Sequence, residues 1–260
     1  NGGLPVGTPA LTVNRLCGSG LQAIVSASQA IMLGDCEVAV AGGAESMSRV
    51  PYWLPSMRWG QRMSDGVALD AMVGALTDPF DACHMGVTAE NVATDYHVSR
   101  EDQDELAAES HRRAARAVAE GRFAGQIVPV DVPSRKGPVQ FTVDEHFRAD
   151  TSVEQLAKMK PVFKKDGGSV TAGNASGLND GAGAVMLASG AAVGRLGLKP
   201  MARLVAYAHA GVEPELMGLG PVPATQLALR RAGLGIRDID VIEINEAFAA
   251  QACAVAKLLD

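Results

Sequence analysis

The stretch Leu11–Gly43, LTVNRLCGSGLQAIVSASQAIMLGDCEVAVAGG, sets the expectation for the fold. Leu11–Leu16 is a short run of apolar and β-branched residues and reads as a strand. Cys17-Gly18-Ser19-Gly20 reads as a turn. Leu21, Ile24, Val25, Ser28, Ile31 and Met32 then recur at helical spacing, and Gly34 stops the helix. Val38–Ala41 reads as a buried strand closed by Gly42-Gly43. A strand, a helix and a strand in so few residues predict a βαβ unit, and with it a parallel sheet covered on both faces.

Further along, Ser46–Asp81 is irregular, a helix is predicted over 86–96, and Ser99 caps a charged helix that ends at Gly121. The charges of that helix read as a solvated face. Sheet character returns at Ala184–Ala188 and again at Ala202–Ala208. A helix is predicted over 225–232, then a strand at Val241–Ile244 and a helix from Glu246. The resulting division is residues 1–45 and 176–199 as one α/β half, 46–175 as an inserted loop lobe, and 200–260 as part of a second α/β half.

The chain has 260 residues, of which 47% are hydrophobic and 20% charged, enough for one large or two modest cores. The formal net charge of −6 speaks against a nucleic-acid partner or an anionic membrane held by a general basic surface. The four cysteines, Cys17, Cys36, Cys83 and Cys253, form no C-x-x-C pair, which points away from a zinc site or a disulfide framework. They read as reduced thiols of a cytoplasmic protein, mostly buried. No signal peptide and no uninterrupted apolar run of membrane-spanning length is read. Asn1 is not an initiator Met, and the final apolar helix has no Gly or Pro stop. Both lead us to expect a chain cut from something longer.

Cys17 is the candidate nucleophile. Glycines at 18 and 20 permit a sharp turn and close approach of a substrate. A helix beginning beside the thiol offers free N–H groups and its positive dipole end, which favour negative charge on sulfur or on an oxyanion. Residues 14–20, NRLCGSG, resemble the nucleophile segment of the thiolase family. So, in order and spacing, do AGGAESMS at 41–48, CHMGVTAEN at 83–91, TAGNASGLNDG at 171–181, GLGPVP at 218–223 and NEAFA at 245–249. The resemblance covers nearly the whole chain and is nearest to bacterial biosynthetic β-ketothiolases.

The resemblance implies the layered α/β thiolase fold, two similar halves with an inserted loop lobe, incomplete in this chain. It implies an acyltransferase that forms a thioester on Cys17 and joins two acyl-CoA molecules to a 3-ketoacyl-CoA, or runs the reverse thiolysis. Asn245 would hold a water of an oxyanion hole; without the resemblance it would read as a helix cap. His84, Met85, Met217, Phe248 and Ser176 would line the pantetheine channel, and Arg148 would lie near the nucleotide end of the coenzyme. Coenzyme A thioesters enter as substrates, with no permanently bound cofactor and no metal. The implied partners are acetyl-CoA and acyl-CoA, with a homo-oligomer, a tetramer, as the assembly. The implied metabolic settings are fatty acid metabolism and polyhydroxyalkanoate biosynthesis.

The family also has a catalytic His in a Gly-His-Pro motif and a second Cys before a glycine cluster. Neither matches a position here: none of His84, His97, His111, His146 and His209 precedes a proline. The isolated 260-residue polypeptide is therefore expected to be inert and poorly folded. A rival reading is a catalytically silent thiolase-like protein that binds acyl-CoA or lipid. Intact Cys17 and Asn245 speak against it. Ketoacyl synthases share the fold, but residues 83–91 and NEAFA favour a thiolase.

Overall fold

In the computed structural model, which describes residues 2–260, regular structure begins with a 3-10 turn at Leu16–Gly18. The elements that follow are α1 (Ser19–Leu33), β1 (Val38–Ser46), β2 (Tyr52–Trp53), β3 (Leu69–Asp70), α2 (Ala71–Ala75), α3 (Met85–Asp95) and α4 (Arg100–Ala119). Then come β4 (Val130–Val132), β5 (Val139–Phe141), α5 (Val153–Leu156), β6 (Asp180–Ala188), α6 (Gly190–Leu196), α7 (Pro221–Ala232) and α8 (Ala249–Leu259).

The chain divides into two compact units. The first comprises the residues through Ala75 with Leu178–Tyr207. Its centre is a nine-residue antiparallel ladder between β1 and β6, in register from Val38 opposite Ala188 to Ser46 opposite Asp180. The Asp180 carboxylate closes one end by accepting from Ser48 N at 2.9 Å and Ser48 Oγ at 2.5 Å. Helix α1 packs on the ladder, buries Val25 and Ser28, and stops at Gly34, whose φ of 84° is the left-handed conformation that a Cβ opposes.

Three sequence expectations are corrected here. Leu11–Leu16 is not a strand, and neither are Ala202–Ala208 and Val241–Ile244. Every ladder among the described residues is antiparallel, so the expected parallel βαβ unit does not form. An apolar run becomes a strand only where a neighbour takes up its N–H and C=O groups. Among the described residues no strand pairs with these three, and Leu11, Val205 and Val241 stand 78%, 61% and 83% exposed. Nor are the cysteines mostly buried: Cys17 is exposed and the other three are half-buried.

The membrane reading is also corrected. Leu16–Leu33 is an 18-residue helical window of mean hydropathy 1.3, long and apolar enough by those measures to cross a bilayer. Its polar positions, Ser19, Gln22, Ser26, Ser28 and Gln29, carry no charge. An apolar helix lying on a ladder, as α1 does, has the same composition.

The second unit, Leu76–Gly177 with Ala208–Asp260, holds the better-buried core. Ala89, Val92 and Ala93 of α3 meet Ala250 and Ala254 of α8, with Val98, Val170 and Leu219 around them. The alanines let the two helices approach closely, so that small side chains still exclude water. Helix α4 opens with a capping box. Ser99 Oγ accepts from Asp102 N and Asp102 Oδ2 accepts from Ser99 N, both at 3.0 Å. Helix α3 is capped by His84, whose Nδ1 accepts from Gly86 N at 3.0 Å. Only an unprotonated Nδ1 can accept, so the cap selects the neutral ring with its proton on Nε2. Burial pushes His84 below its ordinary value in the same sense.

Two outcomes test these caps in the protein expressed from its complete gene. Ser99→Ala lowers stability by about 1 kcal/mol, read from urea denaturation, because it strips one partner from the box. For His84 the folded state resists a proton that the unfolded chain accepts near 6.5, so its contribution is complete above that pH and declines as pH falls below it. His84→Asn keeps an acceptor at the cap but does not titrate, so the slope of stability against pH between 6.5 and about 5 becomes shallower. His111, also pushed down by burial, keeps the remaining slope from vanishing. An unchanged slope in His84→Asn contradicts the capping assignment.

Candidate active site

Cys17 lies in the first unit, within the Leu16–Gly18 turn and two residues before α1 begins. The turn is pinned on both sides. Asn14 Oδ1 accepts from Leu16 N at 2.9 Å, and Gly18 N donates to Arg15 O at 3.0 Å. Ser19 Oγ donates to Leu16 O at 2.7 Å and accepts from Arg15 N at 2.8 Å. Leu16, immediately before the thiol, has φ of 49°. A non-glycine residue in that region costs about 1–3 kcal/mol, so the local hydrogen bonds hold a strained residue immediately before Cys17. Cys17 is exposed.

In the second unit an aromatic cluster joins two of the expected channel residues. The His84 ring stacks on Phe163 with centroids 4.8 Å apart and planes 19° apart. Phe163 in turn meets Phe248 edge-on, with centroids 6.2 Å apart at 84°. Such pairs contribute about 0.5–1.5 kcal/mol beyond the area they bury. Gly86 makes the stack possible: a Cβ there would stand 2.2 Å from the Phe163 ring. Met85 follows His84 as the first residue of α3 and is half-buried.

Ser176 is tied to the same cluster through the backbone. Ala175 and Phe248 form an antiparallel bridge, in which Ser176 N donates to Ala247 O at 3.0 Å and Ala249 N donates to Asn174 O at 2.9 Å. The second bond satisfies the first N–H of α8, whose N-cap residue Phe248 makes no side-chain cap. Asn245 is therefore not the cap that its type alone predicts. It is exposed, in the loop three residues before Phe248. Met217 is also exposed, on the 3-10 turn Pro214–Leu219 that packs against α3 and α8. Arg148 is exposed and donates its backbone N–H to His111 Nδ1 at 3.1 Å. His111 is pushed below its ordinary value first by burial, then by the cationic character of His146 and Arg148. The His146 ring lies 2.1 Å from where a Cβ of Gly177 would stand, which brings this basic group beside Ser176.

His84, Phe248 and Ser176 are thus brought together, Met85 and Arg148 adjoin them, and Met217 flanks α8. Cys17 belongs to the other unit. Phe163 was missed by sequence reasoning. A single aromatic in a Pro- and Lys-rich loop carries no periodic signal, and its partner Gly86 is far away in sequence. The Cys253 thiol, 3.7 Å from Asp102 O, is pushed up by burial. Among the described residues no three His, Cys, Asp or Glu side chains gather as a metal site requires.

Comparison with known proteins bears on both units. The family model for the thiolase N-terminal domain matches residues 1–191, and that for the thiolase C-terminal domain matches residues 198–260. The chain is 63% identical over 259 residues to the beta-ketothiolase BktB of Cupriavidus necator, which takes in all of this chain and 66% of that protein. It is 54% identical to an acetyl-CoA acetyltransferase of Chromobacterium violaceum, over 99% of this chain and 66% of the relative. Among solved structures, the acetyl-CoA acetyltransferase of Bacillus anthracis superposes with a TM-score of 0.92 at 50% identity, over 95% of this chain and 63% of its own. Human mitochondrial 3-ketoacyl-CoA thiolase in complex with CoA gives 0.93 at 47%, over 99% and 64%. The chain spans 66% of the length of these curated relatives. With both family models matched, the strained cysteine turn and the aromatic cluster are parts of one mixed α/β fold, and the chain belongs to the thiolase family.

Proposed function

We propose that this sequence carries the nucleophile and much of the coenzyme-binding surface of an acyl-CoA thiolase. The observation that supports this most is the pinned Leu16–Gly18 turn, which presents an exposed thiol within a chain matched by both thiolase family models. The Cys17 sulfur attacks the carbonyl carbon of an acyl-CoA. The new S–C bond forms as the coenzyme's C–S bond breaks, and coenzyme A leaves as a thiol after taking a proton. The methyl carbon of a second acetyl-CoA, deprotonated, then attacks the enzyme thioester. The new C–C bond forms as the cysteine C–S bond breaks, a 3-ketoacyl-CoA is released, and the cysteine sulfur takes up one proton in balance with the one lost from the methyl group. Thiolysis is the same sequence reversed.

In this reading Asn245 orients a water toward the thioester oxygen where negative charge develops. His84 offers Nε2–H because its Nδ1 is engaged by Gly86. Phe248 and Met217, with Phe163 behind them, give the pantetheine arm an apolar wall, and Met85 adjoins it. The Ser176 hydroxyl faces pantetheine amides, and Arg148 pairs with phosphate at the nucleotide end. The substrates are acyl-CoA thioesters, with no resident cofactor. The assembly is a homo-oligomer, a tetramer, in the cytoplasm. The CoA complex of the human mitochondrial thiolase supports the coenzyme assignment.

Two measurements on the protein expressed from its complete gene test the proposal. Mass spectrometry after incubation with acetyl-CoA finds the acetyl adduct on Cys17, and Cys17→Ala abolishes thiolysis. An adduct confined to Cys36, Cys83 or Cys253 overturns it. Asn245→Ala lowers kcat about a hundredfold, near 2.7 kcal/mol, with KM little changed, because an oxyanion-hole group acts mainly on the transition state. A raised KM at unchanged kcat removes Asn245 from that role.

A further inference from the structure

The segment Ser169–Gly177 carries Ser176 and the carbonyl that caps α8, yet it has no regular structure of its own beyond the single bridge to Phe248. What holds it is a set of side chains almost wholly removed from water. Asn174, 2% exposed, is the point where they meet. Its Nδ2 donates to Asp104 Oδ1 at 2.9 Å and to Ser169 O at 3.1 Å, and its Oδ1 accepts from Thr171 N at 2.8 Å. All three hydrogen bonds are within one side chain's reach, so its position is fully determined. Asp104, 1% exposed, is held in turn from α4 by Arg100, whose Nε donates to Asp104 Oδ2 at 2.7 Å. Arg100 continues outward to Leu156 O at 2.6 Å and Met159 O at 3.0 Å.

The backbone of Asn174 faces the other way. Its carbonyl accepts from Ala249 N, and two residues on Ser176 N donates to Ala247 O. One residue therefore joins a buried charge on α4 to the Ala175–Phe248 bridge, which holds the Asn245–Phe248 loop together with Ser110 Oγ donating to Glu246 Oε2 at 2.6 Å. We infer, building on the thiolase reading above, that Asp104 and Asn174 are positioning residues that set where Ser176, Phe248 and Asn245 stand against the coenzyme and the thioester. Neither touches substrate. Their effect passes through the Ala175–Phe248 bridge, and it is directional: the carboxylate of Asp104 orients the Asn174 amide so that oxygen faces Thr171 and nitrogen faces α4.

Asp104→Asn is the test, in the protein expressed from its complete gene. It keeps the shape and an oxygen for Arg100 but sets an NH2 against the Asn174 NH2. Hydrogen exchange of the Ser176 and Ala249 amides then accelerates at least about tenfold, while amides within α3, such as Val92 and Ala93, keep their protection. At a temperature where the variant is fully folded, KM for acyl-CoA rises about fivefold or more and kcat falls. The double variant Asp104→Asn with Asn174→Asp restores a complementary pair and recovers part of both changes. A variant that only melts earlier, with exchange faster throughout the unit and KM unchanged, overturns the inference, as does selective exchange with KM unchanged. If Asp104→Asn does not fold, Asn174→Ser, which leaves Asp104 with Arg100, is read in the same two ways. The exchange measurement needs no turnover. Activity that survives Cys17→Ala would therefore overturn the thiolase reading separately, with selective exchange still deciding whether the pair holds the bridge.

Discussion

A carboxylate 4% exposed must be met by donors, and Glu90 is met from a single turn. Its oxygens accept from Ser169 N at 2.9 and 3.0 Å, Ser169 Oγ at 3.0 Å and Val170 N at 2.9 Å. Leaving such a group without partners costs several kcal/mol, a large share of a domain's net stability of about 5–15 kcal/mol. The turn and α3 are therefore not free to part. Gln103, fully buried on α4, adds Nε2 to Ser169 Oγ at 2.9 Å, so Ser169 is addressed by two helices at once. The core of the second unit is apolar where α3 and α8 meet, and polar where α3 and α4 hold one irregular segment.

That arrangement explains why the aromatic cluster can be small. His84 and Phe163 stack because Gly86 leaves room and because Val162 N donates to Val170 O at 3.0 Å, tying the Phe163 loop to the residue Glu90 grips. Phe248 arrives on the bridge from the same segment. Three rings drawn from distant parts of the sequence meet because the backbone beneath them is fixed by buried hydrogen bonds. The first unit works differently. Its Cys17 turn is held by short-range bonds among Asn14, Arg15, Leu16 and Ser19, and its strain sits in one residue, Leu16.

The readable parts of the chain were those whose bonds close within a few residues. The helices at 85–95, 100–119, 221–232 and 249–259 were foreseen within a few residues of their bounds, because each hydrogen bond spans four residues and boundaries such as the Ser99 cap and the Gly233 stop are local signals. The Cys17 turn was legible for the same reason. Val38–Ala41 and Ala184–Ala188 were seen as strands but not as partners, since nothing in either run states that the other lies opposite in antiparallel register.

By itself, then, the sequence determined the helices, the turn at Cys17 and, through its motifs, the family. Tertiary structure decided which apolar runs became strands, sparing Leu11–Leu16, Ala202–Ala208 and Val241–Ile244, and it decided that Asn174 rather than Asn245 supplies the cap of α8, by a backbone carbonyl. It also placed Phe163, and it buried Glu90 on α3 and, on the helix whose charges read as a solvated face, Gln103 and Asp104. The physical reason is common to all of these. A helix satisfies its backbone from within, whereas a strand, a ring stack and a buried carboxylate are each completed by a partner remote in sequence, and only the folded chain supplies it.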